Sequence, residues 1–102
     1  MPTVKKIFDG NIVEWDSEKS ELVIKEHGVS FEEALTVLLY DFNSVTNEDI
    51  REYDGEQRYI TIGVSNQARL LCVVWTLREV RYRIITARKA NKHEQKGYYN
   101  GQ

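Results

Sequence analysis

The sequence predicts an α+β fold in which a small antiparallel sheet carries helices packed on one face. The antiparallel sheet is predicted from three strand-like runs, at residues 58–64, 69–77 and 81–87. The gaps between these runs are short enough for antiparallel hairpins. Two helical patterns precede these runs, and a third closes the chain. With one short strand before the helices, the predicted order is β-α-α-β-β-β-α in a single domain, residues 1–102.

The first strand and the first helix are predicted from the spacing of apolar side chains. The segment NIVEWD (11–16) alternates briefly between polar and apolar residues, as a short strand does. Residues 17–27 then set three apolar side chains among lysines and glutamates, which indicates a helix. Gly28 occupies the position at which helices commonly end in the left-handed conformation, so we expect the helix to end there.

The remaining elements are a second helix, a long loop and a last helix. Ser30 followed by Glu33 matches a capping box, in which the side chain of each residue bonds the backbone N–H of the other. The apolar residues behind it fall at helical spacing: Phe31, Ala34, Leu35, Leu38 and Leu39. Residues 41–56 are polar, acidic and aperiodic, which predicts a loop. We expect the last helix over about 89–99.

Length and composition exclude several classes of protein. The shares of apolar and charged residues, 41% and 29%, argue against disorder. No apolar run approaches the roughly 18 residues of a membrane span, and the N-terminus lacks the apolar core of a secretory signal. Cys72 is the one cysteine, which excludes an internal disulfide and fits a reducing, cytoplasmic setting. We expect no metal and no cofactor, because neither metal-ligand spacing nor a Gly-rich phosphate loop occurs.

Charge is divided unevenly along the chain. The net charge is −2, but residues 1–56 carry five Lys and Arg against fourteen Asp and Glu, whereas residues 57–102 carry nine against two. The basic half could form an anion-binding face. Alternatively, the two halves neutralise each other in the folded protein.

The run RYRIITARKA, near the end, sets cations at both ends of an apolar strand. Strict alternation puts Arg81 and Arg83 on one face of the sheet and Arg88 on the other. Arg88 joins the other two only if the strand ends near Thr86 and the chain turns into the last helix. That helix, starting near Lys89, would also direct free backbone N–H groups at a nearby anion.

Such cations suit the cleavage of RNA without a metal. The reaction needs a base for the 2′-OH proton, cations for the phosphorane and an acid for the leaving 5′-oxygen. Arginine serves the second task because its planar fork binds two phosphate oxygens. Glu56 or His27 is a candidate base, and Tyr99 or Lys89 is a candidate acid.

Each of these residues also has a structural alternative. His27, beside Gly28, could cap the carbonyl end of the first helix. The arginines could be surface cations or partners of the acidic first half. Tyr98 and Tyr99 could pack the tail of the chain.

Several motifs together resemble a known family. They are VEWD (13–16), Lys19, KEHGVSFEEA (25–34), EQR (56–58), Ile62-Gly63 and RIITARKA (83–90), followed by Glu94 and Tyr98/Tyr99. In this order and spacing they resemble the BrnT toxins, over about residues 11–99. The pair HGVSFEEA and RIITARKA is the specific part of the resemblance.

The resemblance implies a bacterial type II toxin with a RelE-like α+β fold. It implies metal-independent endoribonuclease activity that halts translation, and inhibition by a BrnA-like, DNA-binding antitoxin in a toxin–antitoxin hetero-oligomer. Neither a membrane nor a cofactor is implied. The matching catalytic positions are His27, Glu56, Arg58, Arg83 and Arg88, and we expect RNA contacts from Lys25, Arg81, Thr86, Lys89 and Tyr99.

The chain departs from the family pattern beside the motif histidine. The family usually has Lys just before it, where this chain has Glu26, and an Asn three residues further back, where it has Val23. Thr86 replaces the usual Ser and keeps the hydroxyl. Because Glu26 would repel a phosphate, the alternative function is a catalytically weakened toxin-like module that binds an antitoxin or RNA without cleaving it.

Overall fold

A computed structural model describes residues 2–51 and 54–101 and confirms the α+β class. The elements are β1 (Thr3–Phe8), β2 (Asn11–Asp16), α1 (Ser17–His27), α2 (Phe31–Tyr40), β3 (Val45–Asp49), β4 (Arg58–Val64), β5 (Leu70–Arg78), β6 (Arg81–Lys89) and α3 (Lys92–Asn100). The strands form one sheet in the order β1-β2-β6-β5-β4-β3. All neighbours are antiparallel except β2 and β6, which are parallel. The structure therefore adds β1 and β3 to the predicted order.

β1 was missed because a lysine occupies one of its inward positions. Lys6 faces inward between Val4 and Phe8 and sets its ammonium 5.7 Å from the ring centre of Trp15, so the stem is covered while the charge stays near solvent. A two-residue turn joins β1 to β2 at Asp9-Gly10, and both residues have positive φ. Asp-Gly is a favoured sequence for such a turn, so this dipeptide was the sequence feature that could have predicted the hairpin.

β3 lies inside the segment predicted as a loop. Four of its five residues are exposed, so it has no alternating pattern that a sequence could reveal. It forms the outer strand beyond β4, where Thr46 and Thr61 hydroxyl oxygens lie 2.7 Å apart. Charged residues on an outer strand also discourage pairing with other molecules.

The first two helices begin and end where the sequence predicts. Gly28 closes α1 at φ 68°, and its N–H bonds the carbonyl of Ile24. Ser30 caps α2 by accepting a hydrogen bond of 3.0 Å from the N–H of Glu33. The reciprocal half of the predicted capping box is wrong, because the Glu33 carboxylate turns instead to Arg69 and Ser65.

One face of the sheet carries the hydrophobic core. Its strand residues pack against α1 and α2 in a cluster formed by Val13, Trp15, Val23, Val29, Phe31, Ala34, Leu35, Val37, Leu71, Val73, Ile84 and Ala87. Trp15 and Phe31 meet edge to face, with ring centres 5.9 Å apart. We call this side of the sheet the core face.

A β-bulge interrupts the side-chain alternation of β6. Trp75 of β5 pairs with Ile84, and its neighbour Val74 pairs with Thr86. Ile85 is therefore one residue in excess, which is the definition of a bulge. Beyond it, every side chain of β6 faces the side opposite to the one that simple alternation predicts.

The bulge determines where the arginines of β6 lie. Ile84 and Ala87 are both buried on the core face although they are three residues apart. Arg83, Thr86 and Arg88 consequently share the opposite face. The predicted condition for this, a strand that ends near Thr86, is wrong because β6 continues to Lys89.

We call the side of the sheet opposite the core the arginine face. Cross-strand pairing places five arginines on it, with Cys72, Val74, Thr76 and Thr86 between them: Arg58, Arg78, Arg81, Arg83 and Arg88. α1 contacts β6, and its last residue, His27, lies beside Thr86 and Arg88 on this face. α3 also brings Glu94 to this side, whereas the prediction placed all helices on one face.

The last helix begins three residues later than predicted. Asn91 caps α3 by accepting from the N–H of Glu94, and Glu94 accepts in turn from the N–H of Asn91. The expected start near Lys89 is therefore wrong, and the capping box occupies the N–H groups of Asn91 and Glu94 at this end.

The unequal charges of the two halves largely neutralise each other. Arginines from the second half pair with carboxylates from the first: Arg58 and Arg78 with Glu56, Arg69 with Glu33, and Arg81 and Arg83 with Glu14. This outcome favours the second of the two interpretations of the charge division. Arg88 differs, because its partner Glu94 belongs to the same half.

Gly63 is a position where the fold has no room for a side chain. A Cβ there would lie 2.7 Å from Val37 Cγ1 and 2.9 Å from both Asp41 Oδ2 and Ser44 Cβ. We expect Gly63→Ala to destabilise the fold by about 1–3 kcal/mol, measured by urea unfolding. Gly97→Ala is the control, because nothing lies within 4 Å of its Cβ position and α3 should gain helix propensity. Equal stability of the two variants would contradict this assignment.

No helix among residues 2–51 and 54–101 has the length and apolar character needed to cross a membrane.

Candidate active site

A row of polar residues crosses the arginine face. Cross-strand pairing aligns one residue from each of five strands: Asp49, Arg58, Thr76, Arg83 and Glu14. Adjacent strands lie about 4.8 Å apart, so the backbones of Arg58 and Arg83 are about 10 Å apart with Thr76 between them. Each arginine of the row thus has a carboxylate on its outer side and Thr76 on its inner side.

A pocket of about 330 Å³ opens beside this row. Its lining comes from five elements and one loop: His27, Arg51, Ile60, Cys72, Val74, Thr86, Arg88 and Glu94. Three of the predicted site residues, His27, Thr86 and Arg88, are therefore brought together. Imidazole, hydroxyl and guanidinium groups above an apolar floor form an arrangement that can bind an anion and transfer a proton.

Arg88 is held in one orientation by Glu94. The guanidinium donates from Nη1 to Oε1 at 2.8 Å and from Nη2 to Oε2 at 2.9 Å, which is a two-pronged ion pair. The hydrogen bonds from Arg88 lower the pKa of Glu94, which keeps the carboxylate ionised. The side chain of Arg88 is still 41% exposed, so part of the guanidinium faces the pocket.

Cys72 lies beneath this pair at the floor of the pocket. The residue is 3% exposed, and burial raises the pKa of its thiol to about 11. The thiol is therefore protonated at neutral pH and unsuited to act as a nucleophile.

Arg81 and Arg83 lie on the same face but outside the lining of this pocket. Both bond the buried carboxylate of Glu14, at 2.5 Å from Arg81 Nε and 2.7 Å from Arg83 Nη1. Burial alone would raise the pKa of Glu14, but the hydrogen bonds from the two arginines outweigh it and lower the value.

Glu56 and Arg58 form a second group, also outside the pocket. Glu56 accepts from Arg58 Nε at 3.2 Å and from Arg78 Nε at 3.1 Å. Burial acts to raise the pKa of Glu56, yet these two bonds lower it overall. Such a carboxylate is a weak base, so the geometry favours His27 over Glu56 as the proton acceptor.

The other predicted RNA contacts are dispersed. Lys25 is exposed in the last turn of α1. Lys89 and Tyr99 line a separate concavity of about 370 Å³ beside Arg69, away from His27 and Arg88. The predicted role of Lys89 or Tyr99 as the acid has no geometric support from this position.

Two charged residues of the pocket were not among the predicted site residues. Arg51 follows β3. It is the one cation in residues 41–56, and this was the sequence feature that could have marked it as a site residue. Its Nε and Nη2 bond the carboxylate of Asp49 at 2.9 and 2.7 Å, so it stands over the pocket in a defined position. Glu94 belongs to the family motif, but nothing in the sequence indicated that it meets Arg88.

Acid is expected to destabilise the fold through its paired carboxylates. Hydrogen bonds from Arg69 lower the pKa of Glu33, and those from Arg88 lower that of Glu94. Because these values lie below the unfolded value of about 4.3, the stabilisation is complete above that pH and is lost as pH falls through the folded values. Urea midpoints should stay level from pH 7 to about 5 and then decrease. Glu33→Gln should show a shallower decrease, and an equally steep one would contradict this explanation.

Comparison with known proteins identifies a matching family and a solved structure with a similar fold. A family model described as "Ribonuclease toxin, BrnT, of type II toxin-antitoxin system" matches residues 15–94. The crystal structure of the Brucella abortus ribonuclease toxin BrnT matches with a TM-score of 0.55 and 21% sequence identity, over 76% of this chain and 94% of that chain. At this identity the structural match supports the fold alone. No curated protein sequence matches the chain.

Proposed function

Because this chain belongs to the BrnT family of ribonuclease toxins of type II toxin–antitoxin systems, we propose that it is an endoribonuclease whose active site is the pocket between His27 and Arg88. The reaction is cleavage of an RNA phosphodiester by its own 2′-OH, without a metal. The proposed enzyme is one domain and acts in the cytoplasm, where it inhibits translation.

One observation supports this proposal most strongly. The bulge at Ile85 brings Arg83, Thr86 and Arg88 to one face, and His27 at the end of α1 lines one pocket with Thr86 and Arg88. Without the bulge, alternation would turn Arg88 towards the core face. Bulges are over-represented next to active sites, where they re-aim a side chain.

The proposed reaction begins at the 2′-OH of the RNA. His27 accepts its proton, because imidazole can both accept and donate protons near neutral pH. The 2′-oxygen then attacks phosphorus, the bond to the 5′-oxygen breaks, and a 2′,3′-cyclic phosphate forms. The leaving 5′-oxygen takes up one proton from water and becomes a 5′-OH, and His27 returns its proton to water, so atoms and charge balance.

Arginines stabilise the negative charge that develops on the phosphorane. Arg88 contacts the phosphate in the pocket, and Arg83 and Arg58 bind neighbouring phosphates along the row that crosses the sheet. The roughly 10 Å between their backbones exceeds the spacing of successive phosphates in an extended single strand, so long side chains must converge. Thr86 donates its hydroxyl to a phosphate oxygen.

The proposed partners follow from the family. A BrnA-like antitoxin that also binds DNA would hold the toxin inactive in a hetero-oligomer. RNA is the substrate.

Expression in bacteria tests this function. The wild-type protein should stop growth, and co-expression of an antitoxin encoded next to it should restore growth. Arg83→Ala/Arg88→Ala should be harmless at equal protein levels, because both phosphate contacts are lost. A double variant as toxic as wild type would contradict the proposed site, and a harmless wild type would contradict the proposed function.

The second candidate function is a binding module with weakened catalysis. Glu26 is exposed in the last turn of α1 beside His27, where its carboxylate opposes the approach of a phosphate. This module would bind RNA or an antitoxin without cleaving RNA. Glu26→Lys distinguishes the two: a variant that cleaves RNA where wild type does not favours the weakened module.

A further inference from the structure

The hydrogen bonds of Arg88 leave one edge of its guanidinium open. An arginine has five N–H groups. Nη1 bonds Glu94 Oε1 and the Lys89 carbonyl oxygen, the latter at 3.2 Å, and Nη2 bonds Glu94 Oε2. The Nε–H and the second N–H of Nη2 remain. They point the same way, and no residue in 2–51 or 54–101 accepts from them.

Glu94 is itself fixed in place by two partners. Besides Arg88, its Oε1 accepts from the backbone N–H of Asn91 at 2.9 Å, as part of the capping box that starts α3. Cys72 lines the same pocket as this carboxylate. The Glu94 side chain is 18% exposed, and it lies in the pocket that also contains His27. Its position therefore depends on the fold and not on chance surface pairing.

We propose that Glu94 is a positioning residue, which turns the open Nε/Nη2 edge of Arg88 towards a phosphate of the RNA backbone. This inference rests on the proposed function for its substrate. Two parallel N–H groups match two phosphate oxygens, so the edge forms a second two-pronged ion pair while the first, to Glu94, stays intact. Arg88 thus bridges two anions, one fixed by the fold and one brought by the substrate.

A different role for Glu94, as a competitor of the substrate, fits the geometry less well. A competing carboxylate would occupy the edge that the phosphate needs. Glu94 occupies the far end of the guanidinium and leaves the adjacent edge open. The hydrogen bond that it accepts from the Asn91 N–H also resists displacement, whereas a competitor has to move aside.

Kinetics of Glu94→Gln test the positioning role. Gln keeps the capping capacity at this position of the helix, but its amide N–H groups cannot accept from both guanidinium nitrogens, so Arg88 turns. A misplacement of about 1 Å costs about 10²-fold in rate, so kcat should fall by about that factor. Binding of uncleavable 2′-O-methyl RNA should change little, because the removal of one negative charge offsets the lost contact to one of several phosphates.

Controls separate orientation from charge. Glu21→Gln removes one exposed carboxylate from α1 and should leave kcat unchanged. In an Arg88→Ala background, Glu94→Gln should have no further effect, because its role passes through Arg88. A wild-type kcat for Glu94→Gln, or an equal additional loss in the Arg88→Ala background, would overturn the proposal.

A titration with inorganic phosphate gives a readout that does not depend on cleavage. In wild type, phosphate should shift the Arg88 Nε–H signal in a nitrogen–proton NMR spectrum, and in Glu94→Gln the shift should be lost. An unshifted wild-type signal would overturn the proposal even if RNA is cleaved. If wild type cleaves no RNA, the proposed function fails, and this titration still decides the orientation of Arg88. If Glu94→Gln does not fold, the phosphate titration of the wild-type protein alone tests the proposed orientation of Arg88.

Discussion

Arg88→Lys is expected to lower kcat/KM for RNA cleavage about 10²-fold, the usual effect of removing one donor that acts on the transition state. The lysine keeps the charge and can still pair with Glu94, so the fold should be retained. An ammonium is a point charge, however, and cannot hold Glu94 while presenting a flat two-pronged edge to phosphate. Initial rates on a defined RNA, with urea midpoints for both proteins, measure the two effects separately.

The matched control is the same substitution at Arg78. This arginine lies on the same face, also bonds a glutamate, and stands outside the pocket. Arg78→Lys should therefore cleave RNA at nearly the wild-type rate. If Arg88→Lys kept the wild-type rate too, Arg88 would contribute only its charge, and the proposed two-pronged contact to phosphate would be wrong.

Arg69→Met is expected to have the largest effect on stability, about 3–5 kcal/mol. The Glu33 side chain is 1% exposed, and Arg69 bonds it through Nε at 2.9 Å and through Nη2. The same Nη2 also donates to the carbonyl of Gly28 at 3.0 Å, which joins the end of α1 to the start of β5. Removing Arg69 leaves a buried carboxylate without its cation, and the melting temperature should fall by at least about 12 °C.

Two further variants show whether the unpaired charge is the cause. In Glu33→Gln/Arg69→Met the carboxylate is also gone, so part of the lost stability should return. Arg78→Met removes a more exposed arginine from Glu56, which keeps Arg58, and should cost no more than about 1 kcal/mol. A loss of under 1 kcal/mol in Arg69→Met would contradict the importance of this pair.

The elements that the sequence predicted correctly are those with local signals. Gly28 and Ser30 bound the first two helices because a left-handed glycine and a hydroxyl cap act through neighbouring backbone atoms. The predicted bounds of β4, residues 58–64, are those of the structure, because RYITIGV is a short run rich in β-branched and aromatic residues. The sequence did not predict β1 or β3, for opposite reasons. β1 places the charged side chain of Lys6 inward, and β3 has almost no buried side chain.

The candidate site was predictable only in part because it depends on distant pairing. The sequence indicated that His27, Thr86 and Arg88 matter, and the structure gathers them in one pocket. Nothing in RYRIITA marks Ile85 as a bulge, because both isoleucines are apolar and either could face the core. The ion pairs of Arg81 and Arg83 with Glu14 are likewise tertiary contacts, which no local sequence pattern predicts.

RNA cleavage by the purified protein in EDTA, with analysis of the new ends, tests the central claim most directly. The account predicts that wild type produces 2′,3′-cyclic phosphate and 5′-OH ends. It also predicts that His27→Ala cleaves at least about 10²-fold more slowly, since proton transfer by a positioned side chain contributes that much. No cleavage by wild type in EDTA, or equal rates for wild type and His27→Ala, would contradict it.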